Sequence, residues 1–285
     1  MLQIAPSGYW CHAARKRKPE LLCARAKRYE ALMPQIQAVW QANMQVYGAD
    51  KVWHQMNREG NKVARCTVER LMKRMGLHGV RRGKVVRTTV PDKAALCPLD
   101  RVNRQFKADR PNQLWVSDFT YVSTWQGWQY VAFVIDVFAR RIVGWRVSSS
   151  MRTDFVLDAL EQALFDRQPE RSDALIHHSD RGSQYVSILY TERLAQAGIE
   201  PSVGSRGDSY DNALAETING LYKAELIHRR APWKTKEALE LATLEWVAWF
   251  NHHRLLSSIG YIPPAEAEAN YYRQLAGKNE TEVST

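Results

Sequence analysis

The spacing of apolar residues changes its rhythm twice along the chain. Over residues 31–80 it is helical: Val68, Leu71, Met72 and Met75 fall at i, i+3, i+4 and i+7, the stripe of a helix buried on one side. Arg70, Lys73 and Arg74 repeat at similar spacing on another face. Turn signals stand at Tyr47-Gly48-Ala49-Asp50 and Glu59-Gly60-Asn61, Thr67 is placed to cap the last helix and Gly76 to end it. Residues 81–110 show no helical period and carry Pro91 and Pro98, which predicts a linker. From Gln113 the pattern becomes that of strands: Leu114–Val122, Gln129–Val137 and Arg141–Ser148 are rich in Val, Ile and aromatic residues, with hairpin-length gaps at Trp125-Gln126-Gly127 and Ala139-Arg140.

A helix is then predicted over Thr153–Phe165, with Phe155, Leu157, Ala159, Leu160 and Leu164 as core positions. The short apolar run Ala174-Leu175-Ile176 leads to His177-His178-Ser179-Asp180, followed by a helix near Ser187–Ala197 and a strand at Ile199–Val203. A Gly/Ser loop, Gly204–Ser209, precedes a longer helix near Tyr210–Ile227, and the tail after Leu275 is expected to be disordered. Three antiparallel strands followed by alternating helices and strands predict an α/β fold, a mixed sheet with helices on its faces. A small all-α region precedes it.

Charge sharpens this division. Net charge is +10, but residues 1–110 hold 23 lysines and arginines against 8 acids, while the remainder holds 17 against 22. A solubilising basic surface is the plainer explanation, yet the skew favours a polyanion at the basic front and a need for carboxylates behind it. A short helix, a turn and a basic second helix suit a helix-turn-helix. The pattern alone leaves that reading level with a plain helical hairpin whose basic face is solvated. Apolar residues at 45% and charged residues at 25% exclude a disordered chain. No apolar run reaches membrane-spanning length and no secretory leader is visible, so the expectation is a cytoplasmic protein. Cys11, Cys23, Cys66 and Cys97 lie far apart and read as ordinary thiols.

Three acids carry the candidate chemistry. Asp118 sits mid-strand in Trp115-Val116-Ser117-Asp118-Phe119-Thr120, a costly place for a carboxylate unless it is paired or binds metal. Asp180 ends the later strand, where open α/β sheets bind ligands. Glu216 falls in the first turns of a helix, and Asn212, Glu216, Gly220 and Lys223 share one helical face. Phosphodiester transfer needs its attacking and leaving oxygens stabilised together, which two Mg²⁺ ions roughly 3.5–4 Å apart accomplish when carboxylates hold them.

The segments Trp115–Tyr121, His178-Ser179-Asp180-Arg181-Gly182-Ser183-Gln184-Tyr185 and Tyr210-Asp211-Asn212-Ala213-Leu214-Ala215-Glu216, with 35 residues between Asp180 and Glu216, closely resemble the signatures of the insertion sequence 3 family of bacterial transposases. The resemblance is to the second reading-frame product, OrfB. Trp249-Phe250-Asn251-His252-His253-Arg254 and Gly260-Tyr261-Ile262-Pro263-Pro264 resemble its tail, and residues 45–84 resemble its helix-turn-helix segment. Thr217 stands where Ser is more usual.

The resemblance implies an RNase H-like core with Asp118, Asp180 and Glu216 as catalytic and metal-binding residues. It implies two Mg²⁺ ions, with Mn²⁺ as a substitute. It also implies 3′-end cleavage followed by strand transfer, joining one end to the same strand at the other. Lys223 matches a basic position that holds terminal DNA. Double-stranded DNA, at element ends and target, is the expected partner, contacted by Asn212, Lys223, Arg70, Lys73, Arg74, Arg81 and Arg82. Self-association into a multimer, fusion with or binding to the upstream-frame OrfA product, and work at the bacterial nucleoid are further expectations.

The corresponding organisation is a basic arm (1–30), a helix-turn-helix-like DNA-binding region (31–80), a basic linker (81–110), the integrase-like core (111–230) and a C-terminal helical extension with its tail (231–285). A DNA-binding regulator, or an RNase H-type nuclease that hydrolyses without joining, are the alternatives. His177 and His178 lack the spacing of a zinc pair and are expected either to be structural or to support the neighbouring acid site from behind. His252, His253 and Arg254 are left open between DNA phosphate and helix capping. Trp125 and Trp128, flanking a Gly turn, are the tryptophans expected at the surface.

Overall fold

The computed structural model describes residues 6–81, 107–170, 174–180, 182, 184–203 and 212–283. Arg82, Cys97, Arg181, Ser183, the Gly204–Ser209 loop, Tyr210, Asp211 and most of the linker lie outside the described residues. The chain forms two compact units, Met1–Val80 and Arg81–Thr285.

The first unit is helical: α1 (Pro6–Arg17), α2 (Ala24–Ala42), α3 (Ala49–Arg58) and α4 (Arg65–Arg74). Its core is built by Leu32, Ile36 and Val39 from α2, Val52 and Met56 from α3, and Val68, Leu71 and Met72 from α4. The helical stripe predicted for α4 is therefore the buried one. One expectation fails: Thr67 lies inside α4, whose N-cap position is Ala64. α2 runs through residue 30. Trp53 locks the turn between α3 and α4, its Nε1 donating to the Val63 carbonyl at 2.8 Å.

The second unit carries a five-stranded mixed sheet in the order β3-β2-β1-β4-β5. β1 (Leu114–Thr124), β2 (Gly127–Asp136) and β3 (Arg141–Ser148) form an antiparallel meander. The crossover helix α5 (Thr153–Arg167) returns the chain to β4 (Ile176–Ser179), parallel to β1. After α6 (Ile188–Gln196) comes β5 (Glu200–Val203), parallel to β4.

Alternation along β2 sorts the two faces. Ala132 and Val134 join Trp115, Phe155, Val156, Leu160 and Leu194 under α5 and α6. Phe133 points the other way and stacks edge-on against Tyr222 at 5.1 Å and beside Trp246 at 6.0 Å. Gly144 of β3 lies so near α5 that a Cβ would stand 2.1 Å from the Ala159 carbonyl oxygen; only glycine permits that approach.

Those outer aromatics belong to α7 (Ala213–Tyr222) and α9 (Lys236–His252). Between them α7 widens into a π-helical turn, Lys223–Ile227, and ends in the short α8 (His228–Arg230). The single helix expected over Tyr210–Ile227 thus starts later and changes pitch. The Asn251 side chain pairs with both backbone groups of Ile142 on the edge strand β3, at 3.0 and 2.8 Å. The last helix, α10 (Pro264–Val283), runs past Leu275, where disorder was expected. Its base is fixed by Glu268, buried and ion-paired with Arg141 and Arg167. No helix among the described residues is long and apolar enough to cross a membrane.

Candidate active site

Asp118 is the fifth residue of β1 and points to the α7 side of the sheet, in register with Phe133 on β2. Both carboxylate oxygens are engaged: Phe119 N donates to Oδ1 at 2.8 Å and Asn219 Nδ2 donates to Oδ2 at 2.9 Å. A second α7 contact lies below it, where Asn212 Nδ2 donates to the Ser117 carbonyl at 2.9 Å. Asn212 and Asn219 are two helical turns apart, so one face of α7 is fastened to β1 at both ends. Glu216, between them, shares that face and is exposed.

Asp180 follows β4 directly. Ser117 pairs with Ser179 across the parallel strands, so Asp118 and Asp180 come next to each other one step further on. The backbone of Gly182 curls back to donate to Asp180 Oδ1 at 3.0 Å. Room for a side chain at Gly182 is tight. A Cβ would stand 3.0 Å from Asp180 Oδ1 and 3.2 Å from Gln184 Oε1.

Electrostatics link the three acids. The Asp118 carboxyl is held well above the ordinary carboxylate range, first by burial and then by the Asp180 charge, with Glu216 adding a smaller push. The Phe119 and Asn219 hydrogen bonds oppose this. Asp180 is also raised by burial, against the pull of the Gly182 amide and of His178. Among the described residues no three acidic, imidazole or thiol side chains are drawn together closely enough to hold a metal ion. The donors themselves are hard oxygens, the ligand type a divalent cation prefers, and their mutual repulsion is what such an ion would relieve.

Sequence reasoning did not find Asn219 or Tyr185. The Tyr185 hydroxyl is buried without a hydrogen-bond partner among the described residues, and the charges of both Asp118 and Asp180 act on it. Only the helical spacing from Glu216 to Asn219 pointed to the asparagine. The two histidines are held by hydrogen bonds. His177 Nε2 meets Ser117 Oγ at 2.7 Å and Tyr190 Oη at 3.1 Å, and His178 Nδ1 meets Ser202 Oγ at 2.9 Å.

The remaining expected DNA contacts are distributed unevenly. Asn212 is buried, with its Nδ2 donating to the Ser117 carbonyl. Lys223 begins the π-helical turn, four residues past Asn219. Arg70, Lys73 and Arg74 are exposed on α4, where Arg70 Nη1 donates to Tyr29 Oη at 2.5 Å. Arg81 is exposed. Arg254, left open above, is buried in an ion pair with Glu225, Nε to Oε2 at 3.0 Å; it is a structural residue.

Comparison with known proteins decides the family. Residues 27–85 match an HTH-like domain, and residues 108–209 and 197–264 match integrase core domain families. The transposase for insertion sequence element IS629 of Shigella sonnei is 61% identical over 274 residues, covering 96% of this chain and 91% of that one. The transposase for IS904 of Lactococcus lactis is 33% identical over 240 residues, covering 84% and 94%. The chain belongs to the insertion sequence 3 family of transposases. The five-stranded sheet of this transposase is the RNase H-like integrase core, and the helical unit before it is its HTH-like DNA-binding region. Among solved structures, the HTLV-2 integrase catalytic core domain aligns with 56% of the transposase and 98% of its own length, at TM-score 0.45 and 16% identity.

Proposed function

We propose that Asp118, Asp180 and Glu216 are the catalytic and metal-holding residues of this transposase, cutting the donor strand at the 3′ end of its element and transferring the new 3′-hydroxyl to DNA. In the first step water forms a bond to phosphorus and the 3′ oxygen leaves. In the second, that 3′-hydroxyl attacks another phosphodiester and a second 3′ oxygen leaves. Two Mg²⁺ ions, or Mn²⁺ in their place, held by the three carboxylates would stabilise attacking and departing oxygens together.

The protein's own contribution is positioning. Asn219 and the Phe119 amide orient Asp118, the Gly182 amide orients Asp180, and Lys223, on the turn that continues α7, would meet a phosphate. The observation that carries the reading is geometric: Ser117 pairs with Ser179 one step before Asp118 and Asp180, and Asn219, one turn past Glu216 on α7, donates to Asp118. Arg70, Lys73, Arg74, Arg81 and Arg82 would contact DNA phosphate on the basic side of the chain. A multimer, and fusion with or binding to the upstream-frame OrfA product, would supply what one chain lacks in bringing two ends together. Its DNA substrate puts the protein in the cytoplasm, at the nucleoid.

The test uses a labelled element end with Mg²⁺, comparing wild type with Asp180→Asn. Joined products from wild type, lost in the variant while DNA binding persists, are expected. Products that are only hydrolysed would favour a nuclease, and DNA binding without any Mg²⁺-dependent product a regulator. Cleavage surviving Asp180→Asn would sink the triad.

A further inference from the structure

The tip of the β1–β2 hairpin exposes aromatic rings that no part of the proposed chemistry uses. Trp125 is 69% exposed, Trp128 56% and Tyr121 38%. Leaving such area in water is costly unless a partner covers it. Tyr121 and Trp128 meet edge to face, with centroids 5.3 Å apart and planes at 85°. Two lysines stand over the rings: Lys223 Nζ lies 4.8 Å from the Tyr121 centroid and Lys234 Nζ 5.3 Å from that of Trp125.

The tip is held, not loose. Thr124 Oγ1 donates to the Gly127 carbonyl at 2.8 Å and accepts from Gln126 N at 3.1 Å. Trp125 N donates to the carbonyl of the buried Trp233 at 3.0 Å. Lys236 N donates to Gln126 Oε1 at 2.9 Å. The rings are therefore presented by a fixed backbone, with their binding geometry set in advance.

Position ties this surface to the reacting centre. Tyr121 is three residues past Asp118 on β1, about 10 Å along the strand; alternation puts its ring on the other face of the sheet from Asp118, beyond the Leu114–Ser117 stretch that β4 pairs. Lys223 is four residues past Asn219, which holds Asp118. Duplex DNA offers phosphates and groove edges but keeps its base faces stacked. Unpaired DNA offers free base faces alternating with phosphates, and rings interleaved with lysines match that alternation.

We propose that Tyr121, Trp125 and Trp128, with Lys223 and Lys234, form a stacking platform for unpaired bases of single-stranded DNA next to the cleaved phosphodiester. The inference rests on the assignment of Asp118 to the reacting centre for its placement, but the platform itself can be tested apart from catalysis.

The test is fluorescence anisotropy of the full-length chain with a fluorescein-labelled 12-mer oligothymidylate and, separately, a labelled blunt duplex. Trp125→Ala and Trp128→Ala should each weaken oligothymidylate binding about tenfold and change duplex binding less than twofold. Trp128→Phe should retain most of the affinity, showing that the ring and not a fold defect is measured. Asp180→Asn should bind oligothymidylate as wild type does, so that a failed triad leaves this outcome readable. Unchanged affinity in both alanine variants would overturn the platform, as would equal losses on single strand and duplex. So would a loss of self-association in the variants, by light scattering, without loss of oligothymidylate binding; that would assign the surface to a second copy of the chain.

Discussion

The side-chain amide of Asn219 donates to Asp118 Oδ2 at 2.9 Å from a position one helical turn past Glu216. One residue thereby links the strand and the helix that carry two of the three acids. It also favours the charged form of a carboxyl that burial and Asp180 push toward neutrality. Groups that orient a metal-ligating carboxylate typically account for 10–100-fold in metal affinity or activity. Asn219→Ala should therefore raise the Mg²⁺ concentration needed for half-maximal end cleavage by about that factor. A shift under threefold in a Mg²⁺ titration would show that Asp118 does not depend on this contact.

Burial, assisted by His178, holds the His177 imidazole down to about 3 from its ordinary 6.5. The unfolded chain takes up a proton as pH falls through about 6.5, whereas the folded one resists until near the lowered value. Stability is thus unaffected above about pH 6.5 and falls by up to about 1.4 kcal/mol per pH unit below it from this residue. Urea unfolding between pH 7 and pH 5 measures the slope, and His177→Gln should reduce it. An unchanged slope in the variant would assign the acid sensitivity elsewhere.

Tyr185 buries a hydroxyl without a partner among the described residues, beside two carboxylates. A stranded polar group of this kind costs about 1–3 kcal/mol, so Tyr185→Phe should stabilise the metal-free protein by about 1 kcal/mol. Denaturant midpoints in EDTA provide the measurement. Destabilisation would mean that the hydroxyl is satisfied in solution.

Arg254 and Glu225 form an ion pair with both side chains less than a tenth exposed. Removing one partner leaves the other charge buried, so Arg254→Ala should cost about 3–5 kcal/mol. Glu225→Gln combined with Arg254→Met should recover much of it, because no uncompensated charge remains. Equal losses in the single and double variants, read by thermal unfolding, would reject this account.

On α4, Lys73→Ala should weaken duplex binding evenly across sequences and lower the salt slope by about one. Arg70→Ala should do less, since that guanidinium is already engaged with the Tyr29 hydroxyl. Equal slopes for wild type and Lys73→Ala would remove α4 from the DNA-contacting surface.

Much of the core was legible because alternation and helical period are local properties. Arg141–Ser148 was bounded correctly, and Phe155, Ala159, Leu160 and Leu164 are buried as expected. Asp118 was placed on its strand, and Asp180 at the end of the later one, by the apolar residues around them. Asn219 was not legible, because its role depends on the orientation of α7 against β1, a tertiary fact. Arg254 was ambiguous for the same reason: an arginine after a helix looks alike whether it meets Glu225 or a phosphate. Order beyond Leu275 was missed because polarity argued for a loose end, while Glu268 at the start of α10 is anchored by Arg141 and Arg167.

The pairing of Asn251 with Ile142 reaches beyond the attachment of one helix. β3 is an outer strand of the sheet, and the primary amide of Asn251 answers a backbone donor and acceptor there as an additional strand would. The chain thus carries its own stopper against templated addition of strands from neighbouring copies. A polypeptide interrupted before α9 would lose the stopper along with Trp246 and Phe250. Its β3 edge would then be open to pairing at Ile142.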